Sequence, residues 1–164
     1  MHTRSATHGS QRGSCDRIYL FIGVSATRHG ETLAKLLVID DDVGLLDILR
    51  VHLKAAGHDV RTAADAADGI RAILTDQPDL ILSDVGMPYL DGMELLRALR
   101  SDALTRAIPV IFLTGRDDDD TLVKAHQLGV DDFLTKPIQS EDLLSSINRA
   151  LRKASAKPAA RPLI

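Results

Sequence analysis

Short apolar runs alternate with longer stretches of helical periodicity from about residue 34 to about residue 154. Buried parallel strands read as continuous apolar segments, and amphipathic helices place apolar residues three and four apart. On this basis strands are predicted at 35–39, 59–62, 80–84, 109–114 and 132–135. Helices are predicted at 43–56, with Leu46, Leu49 and Leu53 inward, and at 66–75, with Ile70, Ile73 and Leu74 inward. A third helix starts near Met93 with Leu95, Leu96 and Leu99 apolar, and two more cover 119–128 and 140–152. Gly57 suits a helix C-cap and Pro78 blocks continuation of the second helix. Ser140, Glu141 and Asp142 supply a cap and early acids to the last helix. Five βα units with short links predict an α/β, doubly wound parallel sheet.

In such a sheet, ligands bind in the crevice beyond the carboxyl ends of the strands. Asp40 and Asp41 follow Leu36-Leu37-Val38-Ile39. Asp84 follows Leu80-Ile81-Leu82-Ser83, Thr114 follows Val110-Ile111-Phe112-Leu113, and Lys136 follows Phe133-Leu134-Thr135. One pocket would then hold three carboxylates, a hydroxyl and an ammonium. Carboxylates this close must take up protons or bind a cation, and an all-oxygen site with few protein ligands suits Mg²⁺. Lys136 adds a second positive point for an incoming phosphoryl group, and Thr114 a hydrogen bond. Asp84, which ends a central strand and opens a loop, is the candidate nucleophile; Asp40 and Asp41 form the candidate metal pair.

Residues 36–42 (Leu-Leu-Val-Ile-Asp-Asp-Asp), 84–92 (Asp-Val-Gly-Met-Pro-Tyr-Leu-Asp-Gly), Thr114-Gly115 and Lys136-Pro137-Ile138 together resemble the receiver domain of bacterial two-component response regulators. The resemblance covers about residues 34–154. It implies a flavodoxin-like (βα)5 three-layer sandwich with strand order 2-1-3-4-5. It implies that Asp84 accepts phosphoryl from a histidine kinase or phosphotransfer protein. Mg²⁺ would be held by Asp40, Asp41, Asp84 and the backbone carbonyl of Gly86. Thr114 and Lys136 would hold the phosphoryl group, with Thr114 and Phe133 as the switch pair. The helix 4–strand 5–helix 5 face would engage a target, as a monomer or a phosphorylation-dependent dimer. Gly86 departs from the Asn or other side-chain-bearing residue frequent in the family, which puts the lifetime of the phosphoryl group in question.

Composition narrows the picture further. Net charge is −3, which gives no reason to expect nucleic acid or a membrane surface as partner. The single Cys15 excludes an internal disulfide framework and fits a reducing, cytoplasmic compartment. The six histidines lack zinc-ligand spacing. Asp117 to Asp120 reads as a solvated loop capping helix 4, Asp42 as a cap for helix 1, and Asp91-Gly92 as turn chemistry. The basic residues Arg149, Arg152 and Lys153 complement the end of the last helix. Residues 1–33 stand outside the pattern, with one apolar run at 18–24 (Ile-Tyr-Leu-Phe-Ile-Gly-Val). A secretory signal is disfavoured by the short run and the Asp16 before it. A disordered extension or a later translation start is expected instead. Residues 155–164 read as a flexible tail, so a stand-alone switch rather than an enzyme is expected. The rival from another class is a haloacid-dehalogenase-type phosphatase with Asp40 as nucleophile. Against it, helix 1 follows at once and leaves no room for a cap domain, and the loop after Asp84 has no role in that scheme.

Overall fold

The computed structural model describes residues 33–115 and 119–156. The readings of residues 1–32, of Asp117 and Asp118, and of the last eight positions therefore lie outside the described residues. Ten elements alternate without exception: β1 Lys35–Ile39, α1 Val43–Ala55, β2 Asp59–Ala63, α2 Ala66–Thr75, β3 Leu80–Asp84, α3 Gly92–Ser101, β4 Val110–Thr114, α4 Asp119–Gln127, β5 Asp132–Thr135 and α5 Ser140–Ala156. The strands form one parallel sheet in the order β2-β1-β3-β4-β5, the expected doubly wound arrangement.

The two faces of the sheet explain its strand sequences. Every residue of β3 and β4 is buried, because helices cover both sides and leave no solvent face. Leu36, Val38, Leu80, Leu82, Ile111 and Leu113 turn to one face, under α1 and α5. Leu37, Ile39, Ile81, Val110 and Phe112 turn to the other, under α2, α3 and α4. Successive strand residues point to opposite faces, so a run of unbroken apolar residues feeds two separate cores.

Local chemistry sets the boundaries. Asp42 caps α1, its carboxylate accepting from the Leu45 amide at 3.1 Å. Gly57, at φ +97, ends α1 in the left-handed conformation that glycine adopts without steric cost. The Gly57 amide donates to the Lys54 carbonyl, and the His58 amide to that of Leu53, the paired bonds of a Schellman motif. Asp65 and Asp91 cap α2 and α3 in the same manner as Asp42.

Four details correct the sequence reading. Leu74 is 76% exposed rather than inward. Helix α2 stands on Ala66, Gly69 and Ile73, and at Gly69 an added Cβ would lie 2.5 Å from Ile39 Cδ1. The close approach of small residues rotates Leu74 away from the sheet. Helix α1 stops at Ala55, one residue earlier than predicted. Ser140 is not a cap but the first helical residue, since the Leu143 amide donates to the Gln139 carbonyl. Helix α5 continues past Arg152 to Ala156, with no glycine or proline to stop it before Pro158. The Ser155 hydroxyl donates to the Leu151 carbonyl at 3.0 Å.

Strand β5 is pinned to α5 by Asp132, whose carboxylate accepts from the Ser146 hydroxyl, the Phe133 amide and the Arg149 guanidinium. Burial opposes its charge, but the Ser146, Phe133 and Arg149 hydrogen bonds outweigh it. Its pKa therefore lies below the ordinary 3.8. A carboxylate with a depressed folded pKa contributes stability that is complete above its unfolded pKa and disappears as pH falls through the folded value. Asp132→Asn should therefore lower the denaturation midpoint at pH 7 and reduce the loss of stability between pH 5 and pH 3, measured by urea melts across pH. An unchanged pH profile contradicts this role.

Candidate functional site

The chain reverses its winding direction between β1 and β3, which are neighbours in the sheet although β2 lies between them in sequence. That reversal opens the crevice at the carboxyl edge. Asp40 directly follows β1, Asp84 ends β3, Thr114 ends β4 and Lys136 directly follows β5. Carboxylate oxygens of Asp40, Asp41 and Asp84 all lie within 4.8 Å of one another. The Lys136 ammonium stands 2.7 Å from Asp40 Oδ2 and 3.3 Å from Asp84 Oδ1. The Lys136 amide donates to the Thr114 carbonyl at 2.8 Å, tying the lysine to the end of β4. All five polar residues singled out in the sequence thus meet at one edge.

They are not equivalent there. Asp40 is fully buried, and both its oxygens are engaged: Oδ1 accepts from the Asp42 amide at 2.9 Å and Oδ2 from Lys136. Asp41 is exposed. Asp84 is buried but opens onto a cleft lined by Val85, Gly86, Thr114, Gly115, Thr121 and Lys136. The Gly86 amide donates to its carboxylate. Gly86 itself has open space where a Cβ would stand. Gly92, by contrast, must remain without a side chain, because a Cβ there would press into the Asp84 carbonyl oxygen. The Asp-Gly pair at 91–92 therefore does more than turn the chain: Asp91 starts α3 and Gly92 lets it dock behind the acid.

Charge shapes the site. Carboxylate oxygens within 4.8 Å of one another repel by roughly 3 kcal/mol or more at an effective dielectric constant of about 20. Burial is the main force that raises the Asp84 pKa; Lys136 pulls it down and Asp40 pushes it up, leaving it above the ordinary 3.8. Burial works against the Lys136 charge, but the hydrogen bond to Asp40 and the charges of Asp84 and Asp40 outweigh it and hold its pKa above 10.5. The ammonium is therefore charged at neutral pH, and it offsets one of three negative charges. The remaining all-oxygen cluster has the donor set for a hard divalent cation.

Phe133 lies outside the cleft lining. It pairs in register with Phe112, whose ring centroid is 5.9 Å away, and the His126 ring meets it edge-on at 5.2 Å. Sequence reasoning did not single out Thr121 or His126 for the site. Both sit on α4, whose weak apolar pattern, with Ala125 alone among its described residues buried, gives little signal of orientation.

For an acid whose folded pKa is raised, the charged form costs stability at every pH above the folded value, and the cost vanishes as pH falls. Asp84→Asn should accordingly raise the thermal midpoint of the protein in EDTA at pH 7 and narrow its gain in stability on acidification. A lower midpoint would show that Asp84 is held chiefly by its lysine.

The family model of the response regulator receiver domain matches residues 36–148. The chain is similar to the receiver domain protein of Clostridium thermocellum at 34% identity and TM-score 0.70, covering 75% of this chain and 98% of that one. It is similar to the CheY-like receiver domain protein of Methanospirillum hungatei at 30% identity and TM-score 0.71, covering 76% and 98%. It is also similar to the receiver domain of a signal transduction histidine kinase from Syntrophus aciditrophicus at 30% identity and TM-score 0.70, covering 80% and 99%.

Proposed function

This chain belongs to the response regulator receiver domains, and on that premise we propose that it is a phosphorylation-dependent switch whose acceptor is Asp84. The observation that carries the reading is the inequality of the three acids. Asp84 alone among them lines the cleft, while Asp40 is fully buried with each oxygen already accepting a hydrogen bond and Asp41 faces solvent.

In the proposed reaction a histidine kinase or phosphotransfer protein presents a phosphohistidine. An Asp84 oxygen attacks phosphorus in line, the new O–P bond forms as the P–N bond breaks, and the released imidazole takes up a proton. Asp40, Asp41, Asp84 and the Gly86 carbonyl would hold Mg²⁺, which when bound supplies charge neutralisation for the phosphoryl oxygens. Lys136 leaves its 3.3 Å contact with Asp84 to pair with a phosphoryl oxygen while its bond to Asp40 keeps it in place. Its raised pKa keeps it cationic throughout. The Thr114 hydroxyl then turns to the new oxygens, and Phe133 rotates against Phe112 and His126. The phosphoryl group adds about −1.5 to −2 charge, enough to bias a two-state element whose states differ by a few kcal/mol. The read-out face is α4–β5–α5, through which a target protein would dock, with or without dimerisation. The protein would act in the cytoplasm and release only its own phosphate.

The phosphatase reading requires Asp40 as nucleophile. Asp40 is fully buried with each oxygen already accepting a hydrogen bond, and α1 begins three residues later at Val43, which leaves no room for a cap domain.

With acetyl phosphate and Mg²⁺, intact-mass measurement should show one added phosphoryl group, absent in Asp84→Asn and in EDTA. Retention of full labelling in Asp84→Asn contradicts the assignment. At Gly86 the space for a side chain is open, so Gly86→Asn should fit without strain. Its amide would orient water over the phosphoryl group and speed phosphate loss by roughly tenfold, the effect of one net hydrogen bond of about 1.4 kcal/mol in the transition state. A decay rate equal to that of the parent chain would remove Gly86 as the determinant of lifetime.

A further inference from the structure

Helix α1 has a second apolar face. Leu46, Leu49 and Leu53 face the core. At 3.6 residues per turn, Gly44, Ile48, Val51 and Ala55 fall within an arc of about 60° on the opposite side. All four are exposed, Ile48 at 58% and Val51 at 66%. Asp47, Arg50 and Lys54 line one flank, with Asp47 and Arg50 paired at 2.9 Å. A β-branched residue on a solvated helix face costs helix propensity and gains nothing from burial. An unpartnered apolar stripe of this kind marks a covered surface.

We infer that the stripe is covered by this chain's own N-terminal segment, through residues 18–24 (Ile-Tyr-Leu-Phe-Ile-Gly-Val). Three observations select that occupant. The described chain enters at Leu33, whose Cδ2 would stand 2.8 Å from a Cβ at Gly57, the residue that ends α1. The segment therefore starts beside one end of the stripe. From Gly44 to Ala55 the stripe runs ~16 Å, and the eight residues 25–32 reach ~26 Å when extended, so the apolar run can lie anywhere along it. Charge favours the same placement. Residues 1–32 carry four arginines against two acids, net +2, so the rest of a chain with −3 overall carries −5. At the far end of α1 stand Asp40, Asp41 and Asp42. With Val24 near Ala55 and Ile18 near Gly44, Arg17 and Arg12 approach that acidic edge.

The native Cys15, three residues before the apolar run and the one cysteine of the chain, supplies the probe. In the full-length protein under mild oxidation, Asp47→Cys should form an intramolecular disulfide with Cys15. It should do so roughly tenfold faster than Leu74→Cys, which is 76% exposed on the other face of the sheet, because docking raises the effective concentration at α1. Adding Ile48→Glu should remove that advantage. Equal rates at the two positions overturn the proposal, and so does a disulfide between chains as the main product, which assigns the stripe to a second copy. A second readout needs no new thiol. Trypsin should cleave after Arg17 several times faster in Ile48→Glu than in the parent chain, since docking shields that bond. Identical cleavage rates overturn the proposal and leave the stripe to a separate partner. None of these measurements involves phosphorylation, so their failure leaves the assignment of Asp84 untouched.

Discussion

Among the described residues, Lys136 is the cation that the crevice sets against its three carboxylates, and the arrangement of the site depends on it. Its ammonium bridges the acid after β1 and the acid that ends β3 at 2.7 and 3.3 Å. Its own backbone hangs from the end of β4 through the Thr114 carbonyl. Three strands that are neighbours in the sheet are thereby joined at their carboxyl ends by one residue that follows a fourth, two through its side chain and one through its backbone. Without that charge, burial and mutual repulsion would drive Asp84 to take up a proton at higher pH still. With it, the Asp84 carboxylate at the mouth of the cleft is drawn back toward its ionised form, the form a nucleophile needs.

The sheet makes this arrangement possible by being covered on both sides. A strand buried on both faces can carry apolar residues up to its last position and release a polar one only where the helices end. Asp84 is that last residue of β3 and Thr114 that of β4. The backing of the site is equally constrained. Gly92 carries no side chain because its backbone rests against the Asp84 carbonyl, and Asp91 fixes the start of α3 by capping it. The loop between Asp84 and Gly92 therefore has both ends held. Tyr89, in its middle, adopts φ +69 and is fully exposed.

The strand-end residues were legible in the sequence for the same reason. Apolar runs that end in polar residues locate a covered strand and its edge at once, and the helix-ending chemistry of Gly57 and Pro78, with the turn at Asp91-Gly92, locates much of the rest. Three things were not legible. Helical periodicity cannot tell a small residue in close contact from a large one facing water, so Leu74 read as core where Ala66, Gly69 and Ile73 pack. The outward stripe on α1 also went unread: periodicity placed Leu46, Leu49 and Leu53 inward, but only the fold shows Ile48 and Val51 exposed on the opposite side. And adjacency in sequence made Asp40 and Asp41 look like a matched pair. The pleat sends one inward to Lys136 and the other to solvent, a distinction that appears only once β1 is placed beside β3.

The central claim is that phosphoryl lands on Asp84 and on neither of the other two acids. Borohydride reduction of the protein phosphorylated with acetyl phosphate converts an aspartyl phosphate to homoserine, which peptide fragmentation locates by mass. The account predicts homoserine at position 84 and intact aspartate at 40 and 41. Homoserine at position 40 or 41, with position 84 unmodified, would contradict it.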